Sequence, residues 1–234
     1  MQGPLALVGG DELNPGNEPQ DALLASAAGG GPAYVLATAA ARQRPELAVR
    51  RAQAWFARFG LDVQELPART RTQAKAAENV ERAAEGRFFY LVGGDPGRTV
   101  DTLVGTPLWE AIVEAWRGGA ALAGSSAGAM AMGAWSLVRG RFKGDAQRRF
   151  KDALGLIPRL VVAPHFQTFG HRWVGSVRAT GRDVVLLGID ERSAAVWSDG
   201  AWRAMGAGGA SVLADGEHTR FEGGQVISGL PAPG

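Results

Sequence analysis

The chain has 234 residues, of which 46% are hydrophobic, so it is long enough to bury one sizeable core. Its formal net charge is only +2, which argues against nucleic acid as the main partner. It contains no cysteine, which removes disulfides, thiolate metal sites and a cysteine nucleophile together. No signal peptide or membrane span is indicated, and nothing points to a metal or cofactor. We therefore expect a cytoplasmic protein.

Short apolar runs alternate with helical segments through the first half of the chain. The predicted strands cover 4–8, 33–38, 61–66, 87–92 and 120–124, and the predicted helices cover 45–60 and 107–119. Strands separated by helices of this length predict right-handed crossovers and a mostly parallel sheet with helices on both faces.

The last third of the chain carries short runs linked by turns. They lie at 160–164, 184–190, 194–197, 202–206, 211–214 and 225–228 and predict antiparallel strands added to the sheet. No linker or repeat divides the sequence. We therefore expect a single α/β domain over residues 1–234.

The clearest motif is Gly124-Ser125-Ser126-Ala127-Gly128, a G-x-S-x-G pattern between a buried strand and a run compatible with a helix. In such a turn the serine hydroxyl is held above the carboxyl edge of the sheet. The glycine spacing makes Ser126 the candidate nucleophile and Ser125 the variable position. The backbone N–H of Ala127, at the start of the next helix, can then face an oxyanion. In a chain with 34 glycines the pattern also arises by chance, but its strand and helix context favours chemistry.

A serine nucleophile needs a base, and the chain has three histidines. His165 follows the apolar run 160–164, which predicts a position at the carboxyl end of a strand, where catalytic groups gather in open α/β sheets. His171 stands at the start of a predicted helix and His218 in a hydrophilic turn, and we expect both to have surface roles. His165 is the candidate base.

Four segments together resemble the cyanophycinase and peptidase E family of serine peptidases: GSSAGAM, YLVGGDPGRTVDTLVGTPLWEAI, LGLIPRLVVAPHF and GIDERSAAVW. Four motifs in the right order are more specific than any one of them. The resemblance implies a class I glutamine amidotransferase-like, flavodoxin-like fold, a small peptide substrate and a homodimer. It also implies that Ser126 is the nucleophile, that His165 is the base, and that Gly94 and Ala127 donate to the oxyanion.

The acidic member of the triad has several candidates. In the family, an acidic residue within about two dozen residues after the nucleophile orients the histidine. Between the nucleophile and the base the chain has only Asp145 and Asp152. We choose Asp145, because Asp152 is expected to cap a helix. Asp190 and Glu191, beyond a later strand, are the alternatives.

The chain departs from cyanophycinases at positions that would contact substrate. Pro96 replaces a typical glutamine after Gly-Gly-Asp, Ala163-Pro164 replaces Asp-Gln before the histidine, and Phe169 adds an aromatic side chain. These changes remove hydrogen-bonding groups expected to hold the β-aspartyl-arginine units of cyanophycin.

Other residues remain as candidate substrate contacts. They are Asp95, Arg172 and, as a further source of a carboxylate-binding group, the basic segment 139–151, which is otherwise a solvated loop. We therefore expect a serine peptidase that hydrolyses short, acidic or aspartyl peptides. A cyanophycinase proper and a catalytically silent relative that binds a small amino-acid ligand are the alternatives. Glutamine amidotransfer is disfavoured because that chemistry uses a cysteine.

Overall fold

The computed structural model describes residues 1–139, 148–214 and 216–234, and its strands form two β-sheets. The strands of the first sheet are β1 (Leu5–Val8), β2 (Ala33–Leu36), β3 (Val63–Glu65), β4 (Phe88–Leu91), β5 (Ala121–Ser125), β10 (Ser193–Ser198) and β11 (Ala201–Gly206). Their order is β11-β10-β1-β5-β4-β2-β3. The strands β1 to β5 run parallel, and β10 and β11 are antiparallel additions at one edge.

The second sheet is mixed. Its strands are β6 (Gly133–Val138), β7 (Arg149–Asp152), β8 (Ile157–Ala163), β9 (Val185–Ile189), β12 (Gly209–Ala214) and β13 (Glu217–Glu222). Their order is β13-β12-β9-β8-β6-β7, in which β6, β8 and β9 are parallel and the other pairs are antiparallel.

Most of the helices connect strands of the first sheet. The helices are α1 (Glu18–Ala28), α2 (Pro45–Phe56), α3 (Ala77–Glu85), α4 (Pro96–Leu103), α5 (Pro107–Arg117), α6 (Ala127–Met132) and α7 (Val174–Arg178), with 3-10 turns at Ala57–Phe59, Gln73–Lys75 and Gly170–Trp173. Proline in the first turn and a side-chain cap mark the starts of α4 and α5, where Asp95 and Thr106 accept backbone N–H groups. Among the described helices, none is long and apolar enough to cross a membrane.

The alternation of side chains along β1 shows where the core lies. Leu5 and Leu7 face a large hydrophobic cluster that also contains Leu160 and Leu186 of the second sheet. Ala6 and Val8 face a second cluster, formed with α1 and α2. The first sheet is therefore covered on both faces, and one shared core joins it to the second sheet.

The α/β fold class and the parallel arrangement predicted from the sequence are confirmed. The structure distributes the C-terminal strands over two sheets and reduces the run 225–228 to one bridge between Val226 and Arg203. It also forms β13 from residues that we read as a hydrophilic turn. This strand lies at a sheet edge with only Phe221 buried, so it carries little apolar pattern.

One carboxyl group is buried beneath the first sheet. Asp21 of α1 is fully buried, and its Oδ2 accepts a hydrogen bond of 2.7 Å from Nε1 of Trp55, whereas Oδ1 has no partner among the described residues. Burial, reinforced by the nearby carboxylates of Glu18 and Glu12, raises the pKa of Asp21 to about 7.

The raised pKa of Asp21 predicts a pH-dependent stability. The folded state retains a proton on this group between about pH 4 and 7 where the unfolded chain has lost it, so stability falls as pH rises through that window. Asp21→Asn keeps an oxygen for Trp55 and removes the ionisation. We expect it to raise the urea midpoint relative to the parent protein at pH 8 and to change it little at pH 4. An equal difference at both pH values would contradict the assignment.

Candidate active site

Ser126 occupies a sharp turn between a strand and a helix. The fully buried strand β5 ends at Ser125, and α6 begins at Ala127. Between them Ser126 has φ 48° and ψ −109°, a backbone conformation that L-residues rarely adopt. Such strain persists only where the surrounding structure fixes it.

A glycine allows this turn to pack closely on the sheet. A Cβ atom on Gly128 would lie 2.6 Å from the carbonyl oxygen of Leu91 on β4, a distance that real Cβ atoms do not reach. The G-x-S-x-G pattern therefore has a steric reason in this fold: the first turn of α6 rests directly against the neighbouring strand.

His165 lies beside Ser126 although the two follow strands of different sheets. It comes after β8 of the second sheet, and its Nε2 is 3.1 Å from Oγ of Ser126. Its backbone N–H donates to the carbonyl of Gly9, which follows β1, at 2.7 Å. A Cβ on Gly10 would lie 2.3 Å from Cε1 of the imidazole, so only glycine leaves room for the ring there.

Glu191 completes a chain of hydrogen bonds. It follows β9, and its Oε1 lies 2.8 Å from Nδ1 of His165. The Gln167 side chain accepts the backbone N–H of Glu191 at 3.0 Å. The Thr168 hydroxyl lies 3.0 Å from the carbonyl oxygen of His165 and 3.4 Å from Oε1 of Glu191. We assign the imidazole proton to Nδ1, where the carboxylate accepts it, which leaves the lone pair of Nε2 facing Ser126.

Two of the other acidic candidates, Asp152 and Asp190, lie away from His165 in the described part of the chain. Asp145, the first choice from the sequence, lies outside the described residues. Asp152 is exposed at the end of strand β7 and caps no helix, contrary to expectation. Asp190 is buried, and its Oδ2 accepts from Arg220 at 2.6 Å and from the backbone N–H of Gly209 at 3.2 Å, so it links β9 to β12 and β13.

The remaining histidines are placed away from Ser126. His171 lies in the 3-10 turn Gly170–Trp173, and its Nδ1 is 2.9 Å from the carbonyl oxygen of Phe166. His218 lies on the edge strand β13 and contacts the edge of Phe166. Neither shares a hydrogen bond with Ser126 among the described residues.

A cavity of about 260 Å³ opens beside Ser126. Gly94 and Ala127, the expected oxyanion donors, line it together with Ser126 and His165. Phe169 stacks on the His165 ring with centroids 4.8 Å apart and planes inclined by 20°, as the sequence led us to expect of an aromatic side chain there.

Two guanidinium groups face this cavity. They belong to Arg139 and Arg148, and Arg148 lies over the ring of Trp173 at 4.6 Å from its centroid. Burial, followed by repulsion from Arg139, lowers the pKa of Arg148, but an arginine remains charged at neutral pH. Asp95 also lines the cavity, and its Oδ1 accepts the backbone N–H of Arg98 at 3.2 Å.

Arg172, the candidate substrate contact, is exposed on the 3-10 turn Gly170–Trp173. It is not among the described residues that line the cavity, because Phe169 and Trp173 occupy the face of the turn that points there. The basic segment 139–151, which we read chiefly as a solvated loop, supplies the two guanidinium groups instead.

The family model of peptidase family S51 matches residues 5–205. The chain belongs to this family. The cyanophycinases of Nostoc sp. (strain PCC 7120) and Trichormus variabilis are each 31% identical to it over 195 residues, which cover 80% of this chain and 65% of theirs. The chain thus spans slightly less than two thirds of the length of these relatives.

A solved structure matches nearly the whole chain. The crystal structure of a peptidase from an acI-B1 Actinobacterium superposes with a TM-score of 0.85 and 30% sequence identity, covering 97% of both chains. The S51 resemblance drawn from the four motifs is therefore confirmed, and so is the fold that it implied.

Sequence reasoning missed one carboxylate at this S51 site. Oε1 of Glu12 accepts the backbone N–H of Gly93 at 2.9 Å, and Oε2 accepts the hydroxyl of Ser125 at 2.9 Å. Glu12 therefore ties the loop that carries Gly94 to the end of β5, directly before Ser126. Its place just after the carboxyl end of β1 was the available signal, because that end of a parallel sheet is where ligand and catalytic groups gather.

Proposed function

We propose that the protein is a serine peptidase that hydrolyses short acidic peptides through Ser126, His165 and Glu191. The observation that carries this proposal is the chain of two contacts, 3.1 Å from Ser126 Oγ to His165 Nε2 and 2.8 Å from His165 Nδ1 to Glu191 Oε1. Nucleophile, base and orienting acid within hydrogen-bond reach are the geometric signature of a catalytic triad.

The proposed reaction uses each of these groups at a defined atom. Ser126 Oγ attacks the carbonyl carbon of the scissile amide while His165 Nε2 takes its proton, and the same nitrogen later protonates the leaving amine. The carboxylate of Glu191 accepts the Nδ1 proton and stabilises the imidazolium. Water then hydrolyses the acyl-enzyme by the same route in reverse.

The tetrahedral intermediate needs donors for its oxyanion. We assign these to the backbone N–H groups of Gly94 and Ala127, since both residues line the cavity at Ser126. Fixed donors of this kind stabilise developing charge in a water-poor site and supply a large share of catalysis. Glu12 supports them indirectly, because it fixes Gly93 next to Gly94.

Charge supports an acidic substrate. Arg139 and Arg148 face the cavity, and a planar guanidinium can hold a carboxylate through two parallel hydrogen bonds. The carboxylate of Asp95 can accept a hydrogen bond from a substrate amine. Trp173 and Phe169 close one side with aromatic surface, which tolerates an apolar neighbour in the peptide.

Cyanophycinase is the second candidate, favoured by the 31% identity to the two cyanophycinases. Against it, Pro96 lines the cavity with neither a side-chain amide nor a backbone N–H, and Ala163 is fully buried at the end of β8. We expect small acidic peptides to be cleaved much faster than cyanophycin. The homodimer, the single domain and the cytoplasmic location stay predictions.

The first experiment tests Ser126 itself. Ser126→Ala should abolish labelling by a fluorophosphonate and lower kcat on the best peptide of a dipeptide and β-aspartyl panel by up to about 10⁶-fold. Ser125→Ala removes the hydrogen bond to the Glu12 carboxylate and should keep activity within about a hundredfold, because one bond to a charged acceptor is worth about 1.5–3 kcal/mol. If the folded parent protein takes no label and cleaves nothing in the panel, the ligand-binding alternative replaces the enzyme.

The second experiment assigns the acid. Glu191→Gln leaves an acceptor for Nδ1 but no charge to stabilise the imidazolium, so kcat should fall by about 10³- to 10⁴-fold. Asp145→Asn and Asp152→Asn serve as matched controls, because each neutralises one carboxylate that the sequence offered for this role. Steady-state kinetics on one peptide decide the assignment. A loss of that size from Asp145→Asn with little effect from Glu191→Gln would overturn it.

The third experiment tests substrate charge. The ratio of kcat/KM for an aspartyl peptide to that for its asparaginyl analogue should fall about tenfold in Arg148→Gln. Arg148→Lys keeps the charge and should lose less. Arg172→Gln, which removes an exposed arginine outside the cavity, should leave the ratio unchanged. A larger effect from Arg172 than from Arg148 would return the carboxylate contact to the position predicted from the sequence.

A further inference from the structure

A second cavity, of about 340 Å³, lies beside the catalytic one. One wall is the helix α4, with Arg98 and Asp101, and the other is formed by the strands β6 and β7, with Arg149 and Lys151. We call this cavity the α4 groove.

The α4 groove and the catalytic cavity are continuous. Asp95 and Arg139 line both of them, and each begins one wall of the groove. Asp95 directly precedes α4, and Arg139 directly follows β6. A peptide bound at Ser126 that leaves the catalytic cavity between these two residues enters the α4 groove.

The α4 groove is cationic. Four basic side chains line it, those of Arg98, Arg139, Arg149 and Lys151, against the two carboxylates of Asp95 and Asp101. The carboxylate of Asp101 is already paired with Lys151.

The sequence around the β6–β7 hairpin does not offset this charge. The segment 139–151 contains six basic residues and a single acid, Asp145, which can neutralise only one of them. The α4 groove therefore attracts negative charge whichever partner Asp145 takes.

The length of the α4 groove can be read from its helical wall. Asp95 and Thr102 are the first and last lining residues on this side, and seven residues of α-helix rise about 10 Å. An extended peptide covers that distance in about three residues. The groove is thus long enough to receive more than one acidic side chain.

We propose that the α4 groove is an extended substrate-binding site for acidic peptides, in which Arg98 and Arg149 hold carboxylates of residues beyond those in the catalytic cavity. This deepens the proposed function and rests on it: the natural substrate is an acidic peptide longer than a dipeptide. Because the groove leaves the catalytic cavity in one direction, chain extension on only one side of the scissile bond improves binding.

The test is a length series of aspartate-rich peptides, extended by one to five residues on either side of one cleavable bond. With the parent protein we expect KM to fall by about tenfold on one side only and to level off after about three added residues. Added salt should raise KM for the long peptides more than for the short ones, because the contacts are partly exposed.

The decisive comparison is the double variant Arg98→Gln/Arg149→Gln. It should cleave the shortest peptide with unchanged kcat and KM and lose the dependence on length. The control is Arg117→Gln/Arg203→Gln, which removes the same charge from exposed positions on α5 and β11 and should retain that dependence. A length dependence that persists in the first variant, or disappears in both, overturns the α4 groove assignment.

Binding measurements separate this proposal from the proposed function. The Kd of the same peptides on Ser126→Ala, with and without the two groove substitutions, reports the α4 groove without any hydrolysis. A parent protein that cleaves no peptide would refute the peptidase, while length-dependent binding lost on Arg98→Gln/Arg149→Gln would still support the groove. Cleavage of short peptides with length-independent Kd values would refute the groove alone.

Discussion

The junction between the two sheets is the constraint on which the site depends. Gly9 and Gly10 follow β1 of the first sheet, and the Gly9 carbonyl accepts the backbone N–H of His165, which follows β8 of the second sheet, at 2.7 Å. The same two glycines also bond to the start of β10. The Gly9 N–H donates to the carbonyl of Ser193 at 2.9 Å, and the Gly10 carbonyl accepts from Arg192 at 2.8 Å. A Cβ on Gly9 would lie 2.0 Å from the carbonyl oxygen of Asp190, so the two backbone segments pack together with no room for a side chain at position 9. Because Ser126 belongs to one sheet and its hydrogen-bonding partners to the other, this contact sets the register of the proposed triad.

The same junction explains why the cavities lie where they do. The helix α4 begins at the carboxyl edge of the first sheet, directly after Asp95. The strand β6 follows the helix α6, belongs to the second sheet and ends directly before Arg139. The two elements diverge from Ser126, and the space between them is the catalytic cavity at one end and the α4 groove at the other. The proposed substrate path thus follows from the segment α6–β6, where the chain passes from the first sheet to the second.

The sequence predicted those parts of the site that local patterns encode. Ser126 was proposed because strand, turn and helix are contiguous in the chain, and His165 because an apolar run precedes it. Glu191 reaches His165 because β8 and β9 are paired in a register that brings their carboxyl ends together, with Leu160 opposite Val185. No local sequence motif encodes that register. For the same reason the cavity arginines could be assigned only to a basic segment. Arg139 and Arg148 are brought together by strands β6 and β7, whose pairing the sequence did not predict.

Two adjacent acids at the end of β9 show how the fold separates structural from chemical roles. Asp190 is buried and its Oδ2 is held by Arg220 and a backbone N–H, so it stabilises the second sheet. Glu191, the next residue, faces His165 with a quarter of its side chain exposed. Oε1 of Glu191 lies 2.8 Å from Nδ1 of His165, whereas Asp190 directs Oδ2 to the guanidinium of Arg220 at 2.6 Å. The choice between these neighbouring acids therefore follows from the group that each carboxylate faces, a guanidinium of the second sheet for Asp190 and the imidazole of His165 for Glu191.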